Sequence, residues 1–203
     1  MKKIIYEKYK QVMTFFGDIM VAFEPPACKA KQILEMGPFL ERGNVICRYY
    51  DYYLDGLFIP GVFTHSGIIV SPHEIIHSVA EGVGVVHPID FVKDTDGFII
   101  LSPNYPSYSD LQKACGRAYW HVTHKTEYDF TFKDPNKFYC HEFTVDFLRA
   151  GGIKYITPTV IPFGIWPFKF NKELYLADDV IGVCQEKYRF EGGHSVGINI
   201  RKN

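Results

Sequence analysis

Paired cysteines are missing from this chain. Its five cysteines, Cys28, Cys47, Cys115, Cys140 and Cys184, are odd in number and widely spaced, and none forms a Cys-x-x-Cys pair. Neither a disulfide framework nor a zinc knuckle is indicated, and a reduced, cytoplasmic setting is expected. A long apolar leader is missing too. Glu7, Lys8 and Lys10 interrupt the first apolar stretch and Gly17-Asp18 the next, so neither a secretory signal nor a transmembrane segment is expected. If the substrate lies outside a cell, something other than this chain must deliver the protein. The formal net charge is -1, and long runs of like charge are lacking. That excludes the electrostatic footprint of a nucleic-acid binder. No internal repeat or low-complexity segment occurs.

What the chain does hold is apolar bulk. Its 203 residues are 47% hydrophobic and include 17 Phe and 14 Tyr. That is enough to bury one sizeable core, so one domain over 1–203 is expected, and disorder is not.

The pattern along the chain is β-rich in the middle, followed by a helix. Residues 2–15 read as a lead-in helix, 19–23 as a strand ended by Pro25-Pro26, and 27–42 as helical. The Tyr- and Asp-dense stretch 46–59 gives no clear pattern. Residues 63–70 and 74–79 are short apolar runs around the turn signal Ser71-Pro72, which predicts a hairpin. Residues 82–86 and 97–101 read as two more strands, with a helical turn at 88–92 between them. Ser109 opens a helix that runs to about His121. The clearest helix starts near Cys140. Phe143, Thr144, Phe147 and Leu148 share the face of Cys140, and Gly151-Gly152 stops it. Apolar stretches recur at 161–170 and 179–184. The order fits an α+β fold with an antiparallel sheet.

Cysteine hydrolases need a thiolate, a histidine to take its proton, and a group to orient that histidine. Cys140 begins a helix, where free N–H groups and the positive dipole end favour a thiolate and can hold an oxyanion. Taken alone, a cysteine there can equally be a small buried apolar residue. His65 heads an apolar strand and precedes Gly67, where another element can approach closely. Taken alone, it can equally be a hydrogen-bonded core histidine. His77 lies twelve residues on, at the end of the paired strand, where a base and its orienter would meet. The plainer reading of His77 is a surface histidine at a strand end. His73 falls in the turn and His87 in a loop, while His194 lies in a Gly-rich tail. His141 follows Cys140 and is expected to point elsewhere on the helix. His121 and His124 have a spacing a metal could use, but no third ligand is in register, so no metal or other cofactor is expected.

Several segments together resemble the circularly permuted NlpC-type hydrolases of the papain-like superfamily, the YiiX/YaeF-like group. They are Gly17-Asp18-Ile19-Met20, Phe63-Thr64-His65-Ser66-Gly67-Ile68, Ile75-Ile76-His77-Ser78-Val79, Gly82-Val83 and Pro88-Ile89-Asp90-Phe91. Tyr128-Asp129-Phe130-Thr131-Phe132, Phe138-Tyr139-Cys140-His141-Glu142-Phe143 and Leu176-Ala177-Asp178-Asp179-Val180 complete the set. Coverage runs from about residue 15 to 182. The resemblance implies a permuted papain-like core, an antiparallel sheet or small barrel packed on the helix that carries the cysteine. It implies Cys140 as nucleophile and His65 as base, with His77 as orienter. Many relatives carry Glu where this chain has His77, and Ser where it has His141. A histidine in the third place is similar to the lecithin:retinol acyltransferase-like branch, which acts on acyl lipids. Residues 27–60 read as an insert beyond a minimal version of that fold. Tyr128 and Tyr139 are candidates to line the substrate cleft, or else core tyrosines with satisfied hydroxyls.

Three functions follow as expectations. The first is an amidase or peptidase acting on a small peptide, such as a cell-wall stem peptide. The second is an acyltransferase or lipase acting on a lipid ester with the same residues. The third is an inactive binding or structural protein that keeps the fold.

Overall fold

A computed structural model of the chain describes residues 7–9, 11–12, 14, 25–50, 60–163 and 170–192. Gly17-Asp18, the strand expected at 19–23 and His194 lie outside these residues. Residues 7–9, 11–12 and 14 are helical, in keeping with a lead-in helix.

Six antiparallel strands form the centre. They are β1 (Val45–Tyr49), β2 (His65–Ser71), β3 (Glu74–Val79), β4 (Gly82–Val86), β5 (Gly97–Pro103) and β8 (Cys184–Glu191), in the spatial order β4-β3-β2-β1-β5-β8. The sheet is open: β4 and β8 are its edges, and no closed barrel forms among the described residues. A separate hairpin pairs β6 (Thr159–Phe163) with β7 (Phe170–Leu174). The helices are α1 (Ala30–Met36), α2 (Pro88–Val92), α3 (Tyr108–Thr123), α4 (Cys140–Ala150) and α5 (Ala177–Ile181). A single 3-10 turn, Gly37–Phe39, follows α1.

Strand alternation divides the core into two layers. Ile68, Val70, Ile76, Val45 and Cys47 pack on one side with Ala114, Ala118, Phe143, Phe147 and Leu148 of α3 and α4. Ile46, Ile69, Ile75, Phe98 and Ile100 pack on the other with Met36 of α1 and Phe91 of α2. Central strands β1, β2 and β5 are buried on both faces, which is why their apolar runs are nearly continuous. The helical spacing read from Cys140 is observed: Cys140, Phe143, Thr144, Phe147 and Leu148 are all buried on α4.

The β2–β3 hairpin fixes the positions that matter below. Gly67 pairs with His77 and Ile68 with Ile76. On the other edge of β2, His65 pairs with Arg48 of β1. A Cβ on Gly67 would lie 2.6 Å from Ile75 Cγ2 and 3.0 Å from Phe91 Cε2. The elements expected to approach this glycine are thus α2 and β3.

Candidate active site

His65 opens β2, and His77 lies near the end of the antiparallel β3, so both side chains come to the same end of the hairpin. Since Gly67 is the residue opposite His77, the two histidines are diagonal neighbours on one face. His65 Nε2 and His77 Nδ1 share a hydrogen bond of 2.9 Å. Both rings rest on Phe91, at centroid distances of 5.5 and 5.6 Å.

Arg48 adds a fixed cation to this pair. Its guanidinium lies 4.3 Å from the Phe91 ring centroid and donates through Nη1 to the Phe91 carbonyl. Burial, then Arg48, then His77 and His141 hold His65 well below the usual imidazole range. Burial followed by Arg48 lowers His77 to about 3. The resting pair is therefore neutral around pH 7, so one imidazole donates its single N–H to the other.

Cys140 approaches from the opposite layer. It is the first residue of α4, after Tyr139 as N-cap. Its Sγ donates to the Thr64 carbonyl at 3.7 Å, beside His65 at the head of β2. The histidines face the α1/α2 layer and the cysteine helix belongs to the α3/α4 layer, and the thiol meets this strand at the carbonyl of Thr64, the residue before His65. Cys140 is 1% exposed. It clusters with Tyr139, Leu174 and Leu176, and Tyr128, Phe132, Ile161 and Tyr175 pack against that cluster.

Tyr128 is half-buried at the edge of this apolar wall, with its ring 4.8 Å from that of Phe130. Tyr139 is buried, and its hydroxyl is engaged by one backbone residue. It accepts from Tyr175 N at 2.6 Å and donates to Tyr175 O at 3.3 Å. This tyrosine thereby ties the start of α4 to the chain leaving the β6–β7 hairpin. Asp129 is buried and accepts from Thr131 N and Oγ1, Lys133 N and Asp134 N. It organises the loop that carries Tyr128 and Phe132. Burial, then the Asp129 charge, pushes Glu142 up to about 7.

His141 departs from expectation. It does not point away from the site but is fully buried between α4 and β2, with Nδ1 2.9 Å from Ser66 Oγ. Contacts with β2, β3 and α3 cover more than one face of α4, and position 141 falls inside the seam. Sequence reasoning also missed Arg48, Phe91, Ser66 and Thr144. Ser66 carried a signal, as a polar residue within a strand whose neighbours are apolar.

The other histidines lie apart from this site. His73 and His87 are exposed and stacked on each other at 6.1 Å. His121 bonds Thr126 Oγ1 through Nδ1 at 2.9 Å and Asp146 Oδ2 through Nε2 at 3.1 Å, which joins α3 to α4. His124 stacks on Trp120 at 4.0 Å. Among the described residues, no three His, Cys, Asp or Glu side chains come together as metal ligands, and no helix is long and apolar enough to cross a membrane.

No family model and no curated protein matches the sequence. Among solved structures, the chain is similar to the crystal structure of metalloprotein yiiX from Escherichia coli O157:H7, DUF1105. The TM-score is 0.58 at 11% identity, over 74% of this chain and 98% of that one. The open antiparallel sheet with its flanking helices is thus a YiiX-like α+β fold.

Proposed function

We propose that the protein is a cysteine hydrolase with a circularly permuted papain-like fold, acting through Cys140, His65 and His77. The observation that carries this reading is the His65–His77 hydrogen bond beside the Thr64 carbonyl to which the Cys140 thiol donates. His65 Nε2–H donates to His77 Nδ1, which leaves His65 Nδ1 bare as the base. The thiol exchanges the Thr64 carbonyl for that nitrogen and gives up its proton. The thiolate then attacks a substrate carbonyl carbon. Backbone N–H groups at the start of α4 hold the oxyanion, and the imidazolium returns its proton to the leaving group. The acyl-thioester is released by water that His65 deprotonates. His77 is the orienting group, and Tyr128 lines the approach beside the wall that Tyr139 anchors.

The substrate class of first choice is a small peptide or amide. A second reading, an acyl ester of a lipid, is favoured by the apolar wall around Cys140 and by a histidine in the third place. The yiiX protein is described as a metalloprotein. In this chain the facing nitrogens of His65 and His77 bond each other, with the Arg48 cation alongside. That donor set does not suit a cation, and no step here is routed through a metal.

Turnover of stem-peptide fragments and of short- and long-chain esters tests the reading. Cys140→Ala should reduce whichever reaction is found by ~10³-fold or more. Turnover that survives this substitution would exclude Cys140 as nucleophile. The ratio of peptide to long-chain ester turnover separates the two substrate classes.

A further inference from the structure

We propose that His141 is a positioning residue, which seats the cysteine helix on the histidine strand and so sets the approach of Cys140 to His65. This rests on the reading of Cys140 and His65 given above. Those residues sit in different layers of the molecule, so their separation depends on how α4 docks on β2. Nearly all of that seam is apolar, and apolar contacts fix register loosely because they lack direction. Besides the Cys140 thiol on the Thr64 carbonyl, a linked set of side chains crosses it. His141 Nδ1 lies 2.9 Å from Ser66 Oγ, Ser66 Oγ lies 2.9 Å from Thr144 Oγ1, and Thr144 Oγ1 donates to the Cys140 carbonyl at 3.1 Å.

The direction of the chain follows from its end. Thr144 gives its proton to Cys140 O, so it accepts from Ser66, and Ser66 in turn accepts from His141 Nδ1–H. The path starts on the residue after the nucleophile, passes through the residue after the base, and ends on the nucleophile's own carbonyl. All three side chains are fully buried. The His141 ring also makes a hydrogen bond to the backbone of Phe63, two residues before the base. Burial holds His141 at about 4, so it is neutral at working pH and adds no charge beside His65.

The test is the rate at which iodoacetamide alkylates Cys140, read by peptide mass across pH, in the full chain and its variants. His141→Leu should lower the rate at neutral pH by ~10-fold and move the inflection towards that of an unassisted thiol, as a small misplacement of reacting groups does. His141→Asn places an amide N–H near the Nδ1 position and should keep the rate within about 3-fold of the parent. His141→Leu should also lower Tm, because Ser66 Oγ and the Phe63 backbone lose a buried partner, so reactivity is compared with His141→Asn rather than with stability alone. Should His141→Leu fail to fold, Ser66→Ala removes the middle hydroxyl and should slow alkylation in the same way. A folded His141→Leu with the parental rate and pH profile overturns the proposal, and so does equal slowing in His141→Leu and His141→Asn. If the parent itself reacts slowly and His65→Ala has no effect, the catalytic reading fails first, and this inference fails with it.

Discussion

At the scale of single residues, the histidine pair is defined as much by Arg48 as by its own hydrogen bond. A permanent cation beside two imidazoles raises the free energy of any proton added to them. Such a site stores no imidazolium at rest, and the same cation raises the free energy of the imidazolium that proton transfer from the thiol forms. Arg48→Met should raise the titration midpoints of His65 and His77 while leaving them below the usual imidazole value, because burial is the larger cause. Imidazole NMR shifts followed against pH check this, and midpoints that do not move would remove Arg48 from the account. Gly67 is the other decisive position. A methyl group there meets Ile75 and the Phe91 ring on which both histidines rest. Gly67→Ala should cost about 1–3 kcal/mol from overpacking. It should also slow Cys140 chemistry, which a simultaneous measurement of Tm and alkylation rate would show. Unchanged reactivity in a destabilised variant would mean that Phe91 does not position the pair.

At the scale of elements, the sequence was legible where burial is one-sided or period and punctuation agree. The β2–β3 hairpin stood out because Ser71-Pro72 separates two β-branched runs, and α4 because its apolar residues recur at helical spacing before Gly151-Gly152. Strand β1 was not legible. Val-Ile-Cys-Arg-Tyr is buried on both faces at the centre of the sheet, and so it shows no alternation, and it runs straight into a Tyr- and Asp-dense stretch. Strand β8 was missed for the opposite reason. It is an edge strand with Gln185, Glu186, Lys187, Arg189 and Glu191 largely exposed, and its few apolar residues set no strong pattern. The β6–β7 hairpin read only as an apolar stretch. For the site, the candidates Cys140, His65 and His77 came from residue type and order together with the family resemblance. The partners around the histidines were not legible, because Arg48 and Phe91 are brought in by sheet register and helix docking, which no local spacing encodes.

At the scale of the whole molecule, half-buried His65 and His77 and fully buried His141 make folding pH-dependent. His65, His77 and His141 all have folded-state values below the 6.5 of an unfolded imidazole, His77 at about 3 and His141 at about 4. Below pH 6.5 the unfolded chain therefore takes up protons that the folded chain refuses, and stability falls. Each such group contributes up to ~1.4 kcal/mol per pH unit across its window. Glu142 acts the other way. Its folded value is raised from 4.5 to about 7, so its contribution is present at low pH and is lost as pH rises through about 7. Three groups outweigh one, and Tm should drop by several degrees between pH 7 and pH 5. A thermal melt series in buffers of matched ionic strength checks this, and a flat or rising Tm on acidification would contradict the lowered values of the three histidines.

The same molecule-wide arrangement, two layers meeting at the head of β2, underlies the central claim that Cys140 is a nucleophile activated by His65. The most direct measurement is the pH-resolved rate of Cys140 alkylation by iodoacetamide in the parent chain and in His65→Ala. The account predicts rapid alkylation of Cys140 near neutral pH, with a rate and a pH profile that collapse to those of an ordinary thiol when His65 is removed. A slow, ordinary thiol rate that His65→Ala leaves unchanged would contradict it.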